Sequence, residues 1–67
     1  MRITLNNRPE EFDSGEITVD ELLKLKNMTF RMRIVKINGR LIDRDLYLDT
    51  TITDGDDVQV IYLMSGG

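Results

Sequence analysis

The first six residues alternate. Ile3 and Leu5 fall on one side of an extended chain, and Arg2, Thr4 and Asn6 on the other, which is the period-2 pattern of a half-buried strand. Asn6-Asn7-Arg8-Pro9 is turn chemistry, and Glu10 to Asp13 returns as a short second strand. Pro9 and its acidic neighbours suit a sheet edge, where a missing N–H does no harm and charge discourages stray pairing. After a break at Ser14-Gly15-Glu16 the period changes. Val19, Leu22 and Leu23 make a stripe at helical spacing, with Leu25 on its flank. Thr18 and Glu21 have the spacing of a capping box, and Ile17 and Leu22 that of a hydrophobic staple. Asp20 and Glu21 sit where the helix dipole is positive, Lys24 and Lys26 where it is negative. Asn27 can end the helix in a left-handed conformation. The spacing predicts a helix over Val19 to Lys26.

Phe30 to Ile37 is long and β-branched, and Asn38-Gly39 separates it from Arg40-Leu41-Ile42. Asn-Gly between apolar runs is a strong hairpin signal, because both turn residues need positive φ. Asp43-Arg44-Asp45 opens a connection in which Leu46, Tyr47 and Leu48 are expected to plug the open end of the core. Asp54-Gly55-Asp56 is a tight turn, and Asp57 to Met64 is the last strand. The expected order is ββαβββ: an α+β fold, with a mixed sheet packed on one helix and residues 1–67 forming a single domain. Its core should hold Ile3, Leu5, Leu22, Leu23, Val35, Ile37, Val58 and Val60.

Composition narrows the chemistry. A 67-residue chain without cysteine has no disulfide to support its small core. With neither Cys nor His, it can build no thiol nucleophile, imidazole base or ordinary zinc site. The net charge of −3 argues against nucleic acid, which needs clustered positive charge, and suits a basic partner surface. No apolar run approaches a membrane span, and the N-terminus lacks the form of a signal peptide. The expectation is a cytoplasmic protein that engages neither membrane nor nucleic acid.

Two features of the chain's end carry more. In the last strand Val58 and Val60 face one way, and apolar Ile61 and Leu63 face the other. A single helix covers one face of a sheet, so Ile61 and Leu63, with Ile34 from the neighbouring strand, should form an exposed apolar patch of the kind that marks an interaction site. The bland alternative is that connecting loops cover them. The strand then runs into Ser65-Gly66-Gly67, a tail expected to be flexible because no apolar side chain anchors it. Gly66 and Gly67 lack a Cβ, so their backbone can enter a narrow pocket and approach a nucleotide closely. A carboxylate there becomes an electrophile once it is adenylated. The acyl adenylate can then accept sulfur, giving a thiocarboxylate, or an amine, giving an isopeptide bond. A frayed end is the bland reading of the same glycines.

The remaining charges are weaker signals. The Asp54-Gly55-Asp56-Asp57 run is turn chemistry before it is a cation site. Arg31, Arg33, Lys36, Arg40 and Arg44 could form a basic strip or simply a solvated sheet edge. Glu10, Glu11 and Asp13 could pair as catalytic carboxylates, but no pocket is apparent around them.

Taken in order, Lys36-Ile37-Asn38-Gly39-Arg40-Leu41-Ile42-Asp43-Arg44, then Asp54-Gly55-Asp56-Asp57-Val58, then Gly66-Gly67, resemble the ThiS family of sulfur carriers. That family typically shows a V-N-G-x-x-V-P-R motif, an aromatic residue, D-G-D before the last strand, and a Gly-Gly end. Asp43 and Tyr47 depart from it, standing where the family often has proline and tryptophan. The resemblance implies a ubiquitin-like β-grasp fold in a protein that is not itself an enzyme. It implies adenylation of Gly67 by a ThiF-like enzyme that uses ATP, with no cofactor bound by the carrier. The thiocarboxylate, charged by a sulfur-donor protein, would serve thiazole synthase in thiamin biosynthesis. Three further readings stay open at this point: a ubiquitin-like protein modifier, a molybdopterin-type carrier, and a plain protein-binding module.

Overall fold

The computed structural model of the chain describes residues 1–63. Among these, seven strands and one α-helix follow in the order β1 (Arg2–Leu5), β2 (Arg8–Glu11), β3 (Glu16–Thr18), α1 (Val19–Leu25), β4 (Arg33–Ile37), β5 (Arg40–Ile42), β6 (Thr51–Thr53) and β7 (Asp57–Tyr62). Five of the strands make one mixed sheet in the order β2-β1-β7-β4-β5. Only the β1–β7 pair is parallel among these neighbours. The last strand thus enters the middle of the sheet, between the first strand and β4. This is the mixed sheet on one helix that the pattern implies, in the β-grasp arrangement.

Local chemistry accounts for the elements. Asn6 and Asn7, at φ 50° and 68°, form the two-residue turn between β1 and β2. Pro9 therefore lies inside β2 and not in the turn, and β2 is an edge strand, where its missing N–H is harmless. Asn38 and Gly39, at φ 52° and 81°, make the equivalent turn between β4 and β5. The Thr18–Glu21 capping box is complete. At the other end Asn27 takes φ 56°, and the Asn27 and Met28 N–H groups reach back to the carbonyls of Lys24 and Leu23, closing the helix as a Schellman motif.

All eight expected core residues are buried, joined by Ile17, Val19, Tyr47 and Ile52. Besides the place of Pro9, two expectations need correction and one feature is new. Tyr47 alone plugs the core, while Leu46 and Leu48 are exposed, because a tight turn points successive side chains apart and only one can face inward. β4 starts at Arg33 and not at Phe30: the Phe30 and Arg31 carbonyls accept hydrogen bonds from the Arg33 and Arg44 guanidinium groups instead of joining the ladder. A second sheet, β3 with β6, was not expected; it pairs Ile17 with Ile52.

Candidate functional site

The register of β4 against β7 decides what the outer face of the sheet presents. Ile34 lies directly opposite Ile61, Lys36 opposite Gln59, and Val35 opposite Val60. Alternation then puts Val35, Ile37, Val58 and Val60 under the helix and Ile34, Lys36, Gln59 and Ile61 on the far side. The pairing extends one step past the strand, with the Leu63 N–H donating to the Met32 carbonyl at 2.8 Å. Ile61 is 40% and Leu63 45% exposed, and Ile34 is half-buried between them and β5. The three residues expected to form the patch are therefore brought together on an open face. Two apolar neighbours extend it. Met32 is exposed beside Leu63, and Leu41 of β5, opposite Lys36, is 57% exposed. Leu41 could have been found from the Asn38-Gly39 turn, whose two-residue length sets the β4–β5 register.

A second set of contacts holds β7 where the patch needs it. β1 ends at the turn, but Asn6 continues its pairing with a side chain. The Val60 N–H donates to Asn6 Oδ1 at 2.8 Å, and Asn6 Nδ2 donates to the Val60 carbonyl at 3.3 Å. One amide thus substitutes for a further residue of strand. At the same end the Tyr62 ring meets Phe30 edge-on, with centroids 4.7 Å apart, and the Arg33 guanidinium lies over Tyr47 at 5.4 Å from the ring centroid. Ser65, Gly66 and Gly67, the candidate tail and reactive end, lie outside the described residues.

The other charged candidates are occupied. Asp54 accepts the Arg2 N–H at 2.7 Å. Asp56 accepts the Thr53 N–H at 3.0 Å and the Asn38 amide at 3.1 Å. Among the described residues no group of three or more possible ligands is placed to hold a metal ion. Glu10 pairs with Lys26 at 2.9 Å and Glu11 with Arg2 at 3.4 Å; as neighbours in β2 their side chains project to opposite faces, so they form no carboxylate pair. The basic strip also divides, because the register puts Lys36 on the outer face and Arg33 and Arg40 on the other parity.

The comparisons with known proteins bear on this geometry. Residues 3–67 match the model of the ThiS family. The chain belongs to the ThiS family. A crystal structure of the thiamine biosynthesis protein ThiS from Geobacter metallireducens is similar over the whole of both chains, at 36% identity and a TM-score of 0.88. A solution structure of a thiamine biosynthesis protein from the same organism is similar at 32% identity and a TM-score of 0.75, over all of this chain and 88% of the other. Comparison with curated protein sequences returns no match. Membership makes the chain a small sulfur-carrier protein of the thiamin-biosynthesis type and not a catalyst. Among the described residues, no helix is long and apolar enough to cross a membrane.

Proposed function

We propose that this ThiS-family chain carries sulfur on the carboxylate of Gly67. In this reading the carboxylate attacks the α-phosphorus of ATP in the pocket of a ThiF-like adenylating enzyme, and pyrophosphate leaves. Hydrosulfide released by a sulfur-donor protein then attacks the acyl carbon, the bond to AMP breaks and AMP leaves, and the resulting thiocarboxylate supplies thiazole synthase in the cytoplasm. ATP is a substrate of the partner, and the carrier holds no cofactor of its own. The observation that carries the reading is the placement of Ile34, Ile61 and Leu63 on one open face, with two of them on the strand and its extension that lead into Ser65-Gly66-Gly67. A partner that grips this face holds the root of the tail, so its nucleotide pocket need be only a few residues away. Ser65 and Gly66 are small enough to be threaded there.

The test is direct. Deleting Gly67, or adding one residue after it, should abolish ATP–pyrophosphate exchange with the cognate enzyme and leave the melting temperature unchanged. Gly66→Ala should slow exchange without abolishing it. Intact-mass measurement of the protein from its own cells should find a C-terminal oxygen replaced by sulfur. Exchange at the normal rate by the truncated or extended chain overturns the reading in favour of a plain binding module; an isopeptide adduct in its place makes the chain a protein modifier.

A further inference from the structure

The outer face is apolar at one end and charged at the other. At the β2 end, Arg2 and Glu11 pair with each other; on the central strand β7, Asp57 lies opposite Thr4 of β1 and beside Asn38 at the end of β4. At the β4–β5 end a single cation, Lys36, is half-buried and lies opposite both Leu41 and Gln59. Ile34 and Ile61 form the next row on one side, and Asn38 and Asp57 the next row on the other; Leu63 lies one row beyond Ile61. Three ion pairs form among the described residues, and Lys36 is in none of them. A long amphipathic side chain in such a place lays its stem along apolar neighbours and keeps its ammonium in water. When a partner covers the patch that water is lost, and an ammonium buried without a counter-charge is costly.

Resting on the carrier reading above, we propose that Lys36 selects the partner. The surface that docks here is apolar, meets Leu41 as well as Ile34, Ile61 and Leu63, and places a carboxylate opposite the Lys36 ammonium. A flat apolar surface without that carboxylate is rejected, because covering the patch would strand the charge. The chain's negative net charge favours basic partners at long range, whereas this one cation asks for an acidic group at the point of contact.

The test measures binding of the full chain to a ThiF-like adenylating enzyme by calorimetry across a range of salt, beside the carrier concentration that gives half-maximal ATP–pyrophosphate exchange. Lys36→Glu should weaken binding and raise that concentration by about tenfold or more. Lys36→Met keeps the apolar stem and should remove most of the salt dependence. Leu41→Ser should weaken binding by about fivefold with the salt dependence intact. Melts of each variant separate lost contact from lost fold. Wild-type affinity and salt dependence in Lys36→Glu overturn the proposal while leaving the carrier reading standing. No exchange by the wild-type chain at any concentration overturns the carrier reading, and this proposal with it.

Discussion

Val60 and Ile61 are neighbours in one strand and have opposite roles. Val60 is 4% exposed beneath the helix, and Ile61 is 40% exposed on the far side. Both are β-branched and apolar, and both suit a central strand. What separates them is the supply of cover. The inner face has α1, the β3–β6 pair and Tyr47 packed against it, while the outer face has no element of the described residues across it. Hydrophobic residues under the helix stabilise the fold by leaving water. The same residue types on the outer face contribute little until a second protein covers them. On the docking proposed above, the two faces divide the work of the chain between folding and recognition, and substitutions should divide in the same way.

The largest effect belongs beneath the helix. Leu23 is 1% exposed and packs in the same buried cluster as Val35, Val58 and Val60. Leu23→Ala should destabilise by about 2–5 kcal/mol, a large share of the total for so small a domain, as read by chemical denaturation. A loss well below 1 kcal/mol would mean that the inner face is not the folding face. A smaller effect is expected at the seam between the faces. Asn6→Ala removes both side-chain bonds to the Val60 backbone and should cost about 1–3 kcal/mol, because a backbone donor and acceptor lose their partners. Asn6→Asp sharpens the point: it keeps an acceptor for the Val60 N–H but offers no donor to the carbonyl, and should fall between the two.

How much of this division is legible in the sequence depends on the length of each pattern. The inner face was readable because Ile3/Leu5, Val35/Ile37 and Val58/Val60 each repeat at period 2 and the helix stripe repeats at its own period. The Asn38-Gly39 turn and the capping box were readable because each is a short motif with a local mechanism. β3 and β6 were not, since each has three residues with one buried side chain, Ile17 or Ile52, and a single apolar position shows no alternation. The start of β4 was obscured for a different reason. Phe30 to Arg33 continues the apolar–basic alternation, but its first carbonyls are taken by Arg33 and Arg44, a competition invisible to pattern. The patch was legible at Ile34, Ile61 and Leu63 from parity. Lys36 shares the parity of Ile34, and Leu41 follows once the two-residue Asn38-Gly39 turn is taken to set the β4–β5 register.

The smallest effect on stability should accompany the largest effect on recognition. Ile61 projects from the outer face opposite Ile34, so a lysine there keeps its charge in water and leaves the backbone ladder to β4 untouched. Ile61→Lys should therefore change stability by about 0.5 kcal/mol or less, with a melting temperature within a few degrees of wild type. The same substitution sets a hydrated ammonium where the partner needs an apolar contact, and places it one row from Lys36, so the docked partner would have to accommodate two like charges. Binding to the adenylating enzyme should fall by tenfold or more, and ATP–pyrophosphate exchange should fall with it unless the carrier is supplied in excess. Val60→Lys, one residue earlier, should show the reverse order: the fold is lost first, because the ammonium would have to be buried among Val35, Val58 and the helix. If Ile61→Lys unfolded the protein, loops would be covering the outer face and the comparison would collapse. If it bound normally, the patch would have no part in docking, and the partner would have to recognise the carrier through its tail alone.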